Sequence, residues 1–225
     1  MCPSMPSTDL GGYDCVSSTV STAILAGGRG ERLGRDKATL ELGGRPLVQR
    51  LVALLLELST DVIVVLRSDQ QLQVKEARIV TDVEPYAGAL AGIAAGLAAS
   101  RQEWCIVVAC DMPFINLALL RYMISLTSNH DIVVPRLDVG LEPLHALYHK
   151  RCLPALYRAL REGQRRLVSF YSSLHVRYVA PDELRILDPT GRSFFNINTP
   201  EELAQAERWL HERRPPIKAP QPACE

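Results

Sequence analysis

From Ala23 to Lys37 the chain reads AILAGGRGERLGRDK, with four glycines, three arginines and one lysine. Gly27, Gly28, Gly30 and Gly34 leave main-chain N–H groups uncovered, so a polyanion can approach the backbone closely. Arg29, Arg32, Arg35 and Lys37 add fixed positive charge beside those dipoles. This is chemistry for holding a nucleoside triphosphate. Position excludes two common phosphate loops. A Walker loop needs Gly-Lys followed by Ser or Thr, but Lys37 stands between Asp36 and Ala38. The dinucleotide pattern G-x-G-x-x-G, begun at Gly28 and Gly30, ends on Leu33. A longer loop remains, suited to a ligand whose base, ribose and phosphates all need contacts.

Alternating apolar runs and helical spacings position this loop. Val20 to Ala26 reads as a strand, and Ala38 to Leu42 as a connector before a turn at Gly43-Gly44-Arg45-Pro46. Leu47 to Leu58 follows as a helix with leucines at helical spacing. Val62 to Leu66 and Trp104 to Ala109 are short β-branched or apolar runs that read as buried parallel strands. Arg78 to Thr81 reads as a third, shorter strand. Tyr86 to Ser100, mostly Ala and Gly, reads as a close-packed helix. Further helices are predicted over Leu117 to Leu126, Leu153 to Arg161 and Leu167 to Leu174, with strands over Asp131 to Pro135, Leu144 to Tyr148 and His175 to Val179. Asn198-Thr199-Pro200-Glu201-Glu202 opens a last helix to about Arg213, with Asn198 or Thr199 as its cap.

This order predicts an α/β protein, a single-domain, Rossmann-like, doubly wound and mainly parallel sheet whose ligands lie at the carboxyl ends of its strands. Gly27, Asp82 and Asp111 all fall at such ends. Residues 1–18, rich in Ser, Pro and Gly, read as a disordered leader, 19–213 as the domain, and 214–225 as a Pro-rich tail.

Composition narrows the function. With 225 residues and 47% hydrophobic content the chain can bury one sizeable core. Lys plus Arg and Asp plus Glu are 25 each, so no global basic field recruits nucleic acid or an anionic membrane. Six cysteines with no CxxC pair predict a reducing cytoplasm, and no apolar run reaches membrane-spanning length. No Ser-His-Asp set or acid/base pair is evident. His145 reads as a core or edge histidine, and Arg165-Arg166 as a solvated helix start.

LAGGRGERLGRDK resembles the signature of the MobA-type nucleotidyltransferases, the molybdenum cofactor guanylyltransferases. The resemblance continues in order through LELGGRPL (Leu40 to Leu47), GALAG (Gly88 to Gly92), CDMP (Cys110 to Pro113), EPLHALY (Glu142 to Tyr148) and FNINTPEEL (Phe195 to Leu203). It implies a fold of the nucleotide-diphospho-sugar transferase type and transfer of GMP from GTP to the terminal phosphate of molybdopterin. By resemblance, Leu25, Ala26, Gly27 and Gly28 hold the nucleotide, with Asp82 as a further contact. Arg32 and Lys37 neutralise its phosphates, Asp111 binds Mg²⁺, and Asn196 and Asn198 lie near the acceptor. GTP and molybdopterin are the implied substrates, with cofactor-delivery or molybdoenzyme maturation proteins as possible partners. Two positions depart from the family: Arg67-Ser68 follows the second strand where many members carry Asn, and GPLAG has become GALAG after Ala87. A CTP-dependent relative, a sugar-phosphate nucleotidyltransferase and a non-catalytic cofactor-binding adaptor are the alternatives. The Gly27-Gly28 pair favours guanine over cytosine, whose enzymes tend to read LAAG.

Overall fold

The computed structural model describes residues 19–28, 39–82 and 88–212. The leader, the tail, and Arg29, Gly30, Arg32, Gly34, Arg35 and Lys37 of the glycine loop lie outside the described residues.

Seven strands form the main sheet: β1 (Val20–Leu25), β4 (Val62–Leu66), β5 (Arg78–Thr81), β6 (Trp104–Ala109), β7 (Ile132–Leu137), β9 (His145–His149) and β10 (Val176–Val179), in the order β10-β7-β9-β6-β1-β4-β5. A further short strand, β8 (Gly140–Leu141), pairs with β7, and β2 (Glu41–Leu42) with β3 (Arg45–Pro46) makes a separate hairpin. The run from β5 to β6 is parallel throughout, as is β7 with β10, whereas β9 is antiparallel to both neighbours. The sheet is therefore mainly parallel, as predicted.

Helices cover both faces, which explains why the central strands are apolar on both sides. On one face α1 (Leu47–Leu55), α3 (Leu117–Ser125) and α5 (Pro181–Leu187) bury Leu51, Leu120 and Leu184 against Ile24, Val64 and Val108. On the other, α2 (Ala89–Ala99) and α4 (Leu153–Arg161) pack Ile93 and Leu156 with Ala23, Val65 and Val107. A Cβ on Gly96 would lie 2.7 Å from the Cβ of Ala23, so only glycine lets α2 sit this close to β1. A third cluster joins the β2–β3 hairpin to α6 (Pro200–Glu212) through Leu42, Phe114, Ile197 and Trp209.

At the amino ends of the strands, buried Asp61 ties the sheet together. It accepts from Ser21 Oγ at 2.6 Å, from the Arg101 N–H at 2.9 Å and from Arg78 Nη2 at 2.7 Å. Burial alone would raise its carboxyl pKa, but these donors outweigh burial and hold it below the usual range.

One expectation is corrected, and three further details are added. Residues 167–174 are not a helix but a turn leading into a single 3₁₀ turn, Tyr171–Ser173, because Phe170 and Tyr171 are drawn into the core and the Tyr171 and Tyr148 hydroxyls meet at 2.8 Å. The connector and turn at 38–46 include the β2–β3 hairpin, held by packing against α6. Helix α5 was not foreseen, although Pro181 followed by Asp182 and Glu183 is a helix start. Of the two caps offered for α6, Thr199 is the one used: its hydroxyl accepts from Glu202 N–H, and Glu202 Oε2 takes the N–H groups of Asn198 and Thr199.

Candidate active site

The carboxyl ends of four parallel strands build one wall of a cleft of about 390 Å³. β5 delivers Asp82, β4 delivers Arg67, β1 delivers Gly27 and Gly28, and β6 delivers Asp111, and all of them line the cleft. Because β5, β4, β1 and β6 are consecutive neighbours, Asp82 and Asp111 end rows three strand spacings apart, or about 14 Å. That is the span of a nucleotide from base to phosphates.

Backbone bonds extend the ladder past the strand ends and fix this row. Ala26 N–H reaches Val65 O at 2.9 Å, Asp82 N–H reaches Leu66 O at 3.0 Å, and Cys110 N–H reaches Leu25 O at 3.1 Å. Behind Gly27 the space is tight: a Cβ there would lie 3.1 Å from Arg67 Cγ, which would have to shift.

The two carboxylates differ in setting. Among the described residues no other residue hydrogen-bonds the buried Asp82 Oδ1, and burial raises the carboxyl pKa, while the nearby Arg67 charge pulls it back. A lone buried acceptor in a cleft suits a ligand that brings donors. Asp111 is 8% exposed, and its backbone oxygen accepts from Ile197 N–H at 2.9 Å. Ile197 is fully buried, and Asn196 and Asn198 flank it in the chain. Two neighbouring segments, distant in sequence, thus converge at one end of the cleft.

Of the residues that sequence reasoning selected, Leu25, Gly27, Gly28, Asp82 and Asp111 line the cleft; Ala26 extends the ladder beside it, and Asn196 and Asn198 are not among the lining residues but flank Ile197, whose N–H reaches Asp111. Arg32 and Lys37 lie outside the described residues. Two residues were missed. Arg67 sits at the end of β4, where the same strand-end rule would have found it. Glu142, before β9, has its carboxyl pKa raised by burial and further by the charge of Asp111, a proximity that only the antiparallel return of the chain creates.

Among the described residues no group of three or more His, Cys, Asp or Glu could hold a metal by itself. The Asp111 carboxylate at the cleft wall fits a hard divalent cation that keeps waters and takes phosphate oxygens as its other ligands. His145 is fully buried, neither ring nitrogen is hydrogen-bonded among the described residues, its ring is 5.0 Å from that of Phe194, and it is not among the residues lining the cleft.

The profile described as the MobA-like NTP transferase domain matches residues 22–177. The chain belongs to this family. It is 39% identical over 183 residues to a protein of Pelotomaculum thermopropionicum named "Probable molybdenum cofactor guanylyltransferase", covering 81% of this chain and 89% of that one. It is 37% identical over 190 residues to the molybdenum cofactor guanylyltransferase of Desulfosudis oleivorans, covering 84% and 94%. Among solved structures it resembles molybdopterin-guanine dinucleotide biosynthesis protein A from Archaeoglobus fulgidus, with a TM-score of 0.73, 30% identity, and 85% and 99% of the two chains covered. The MobA-like sheet and cleft thus carry a nucleotidyltransferase, and no described helix is long and apolar enough to cross a membrane.

Proposed function

We propose that this protein transfers GMP from GTP to the terminal phosphate of molybdopterin, forming a guanine dinucleotide cofactor and pyrophosphate in the cytoplasm. The observation that carries the reading is the row Asp82, Arg67, Gly27, Asp111 along adjacent strand ends, to which the segment carrying Asn196 and Asn198 is joined by the Ile197 N–H on Asp111 O. The base lies at the Asp82 end. Guanine offers N1–H and N2–H donors on one edge, which a carboxylate accepts as a pair, whereas cytosine offers only its exocyclic amine. Leu25, Ala26, Gly27 and Gly28 hold the ribose and phosphates.

The attacking group is a phosphate monoester oxygen, already ionised near neutral pH because its second pKa is about 6, so no general base is needed. Its oxygen bonds to the α-phosphorus while the bond to the bridging oxygen of the leaving group breaks, and pyrophosphate carries away that electron pair. The protein supplies in-line positioning and charge neutralisation. Arg32 and Lys37 neutralise the departing pyrophosphate, and Asn196 and Asn198 stand on the acceptor side of Asp111. Bound at Asp111, Mg²⁺ would supply neutralisation of the charge on the phosphate oxygens.

The test is pyrophosphate release with GTP, Mg²⁺ and molybdopterin, set beside thermal-shift titrations with GTP and CTP. A larger shift with CTP overturns the guanine assignment. Absence of pyrophosphate release overturns the transferase and favours an adaptor.

A further inference from the structure

The turn that follows β4 reaches back onto the nucleotide loop. It is locked internally, with Gln70 N–H on Arg67 O at 3.1 Å and Arg67 N–H on Gln70 Oε1 at 2.9 Å. Two side chains leave it toward β1. Arg67 Nη1 donates to Gly27 O at 2.7 Å, and Gln70 Nε2 donates to Ala26 O at 3.4 Å. On its other side the Arg67 guanidinium is forked onto Asp69, through Nε at 2.9 Å and Nη2 at 3.4 Å.

A trans peptide points its carbonyl and the following N–H in opposite directions. Holding Ala26 O and Gly27 O toward the turn therefore directs the N–H groups of Gly27 and Gly28 away from it, on one common side. Successive amides arranged in this way form an anion-binding concavity, and both glycines line the cleft. Asp69 balances the charge of Arg67, and the fork and the carbonyl bond commit donors on all three of its nitrogens. Arg67 is thus better placed to orient the backbone than to serve as a phosphate cation.

The geometry points to Arg67 and Gln70 as positioning residues, which set the peptide planes of the nucleotide loop so that its amides meet the triphosphate. The inference rests on the nucleotidyltransferase reading and adds residues to it. Lysine cannot replace Arg67 in this role, because a single ammonium lacks the planar fork that grips a carboxylate while another nitrogen holds a carbonyl.

The experiment measures dissociation constants for GTP and for guanosine by competition against radiolabelled GTP, in wild type, Arg67→Ala, Arg67→Lys and Gln70→Ala, with thermal melts as a folding control. Arg67→Ala and Arg67→Lys should both weaken GTP about tenfold, the order expected for one lost hydrogen bond to an organised loop, while guanosine changes less than about twofold. Gln70→Ala, the milder variant should Arg67→Ala fail to fold, should weaken GTP about threefold with the same selectivity. Wild-type GTP affinity in Arg67→Lys, or equal losses for guanosine and GTP, overturns the positioning role. If wild type binds GTP and every variant binds it equally well, this inference alone fails; if wild type binds none, the transferase reading fails with it.

Discussion

Ile197 donates its N–H to the backbone oxygen of Asp111 at 2.9 Å, and this bond joins the two halves of the site. It is held from behind by aromatic packing. Trp209 of α6 lies 4.8 Å from the Phe195 ring and 5.7 Å from the Phe114 ring, with the Arg192 guanidinium 4.4 Å above it. Phe114 lies just after the Asp111 turn and Phe195 just before the asparagines, so one indole braces both partners of the bond. Trp209→Ala should destabilise the protein by about 2 kcal/mol, less than the ~3–5 kcal/mol of a fully buried aromatic. It should also lower the rate of pyrophosphate release more than it raises KM for GTP, since the base end of the cleft is untouched. Urea melts and steady-state kinetics check the two parts.

Asp111→Asn keeps the side-chain shape and the backbone bond to Ile197 while removing the charge. Folding should survive, and kcat should fall by about 10²–10³, the scale of losing one preorganised electrostatic contact. Raising Mg²⁺ should recover part of this loss, a result read directly from a metal titration of the initial rate.

His145 makes stability depend on pH. Burial lowers its pKa from 6.5 to about 4, with Asp188 opposing the shift. The unfolded chain takes up its proton near pH 6.5 and the folded chain only near 4, so stability is full above pH 6.5 and lost as pH falls through this window. The loss attributable to this residue is about 3 kcal/mol. His145→Leu, which leaves no buried nitrogen unpaired, should flatten the acid limb of stability between those pH values while leaving the pH 8 melting temperature equal or higher. Melting curves from pH 8 to 4 measure it.

Gly96→Val would place its Cβ 2.7 Å from that of Ala23 and force α2 away from β1. A destabilisation of about 1–3 kcal/mol is expected, with weakened GTP binding because Gly88, Ala89 and Gly92 of the same segment line the cleft. A denaturant melt with and without GTP separates the two effects.

The strand ends were legible because parallel strands buried on both faces are short apolar runs, and the residue after each run is the one exposed to ligand. That rule places Gly27, Asp82 and Asp111 on one rim from spacing alone. Arg67 obeys it and was noted only as a departure from a family pattern. Two of the misses have a tertiary cause. Residues 167–174 have helical spacing, but the buried Tyr148 draws Tyr171 out of it. The nearness of Glu142 to Asp111 depends on β9 running against β6, a direction that apolar periodicity does not encode.

During synthesis Asp111 is made first and Ile197 comes 86 residues later, a delay of about 4–17 s at roughly 5–20 residues per second. Until then a growing chain can present the strand-end row without either asparagine, and the last helix, with its indole brace, has yet to be translated. Competence therefore waits for this late segment: a chain cut short before Phe195 lacks Asn196, Asn198 and with them the side of the proposed site that would receive the second substrate.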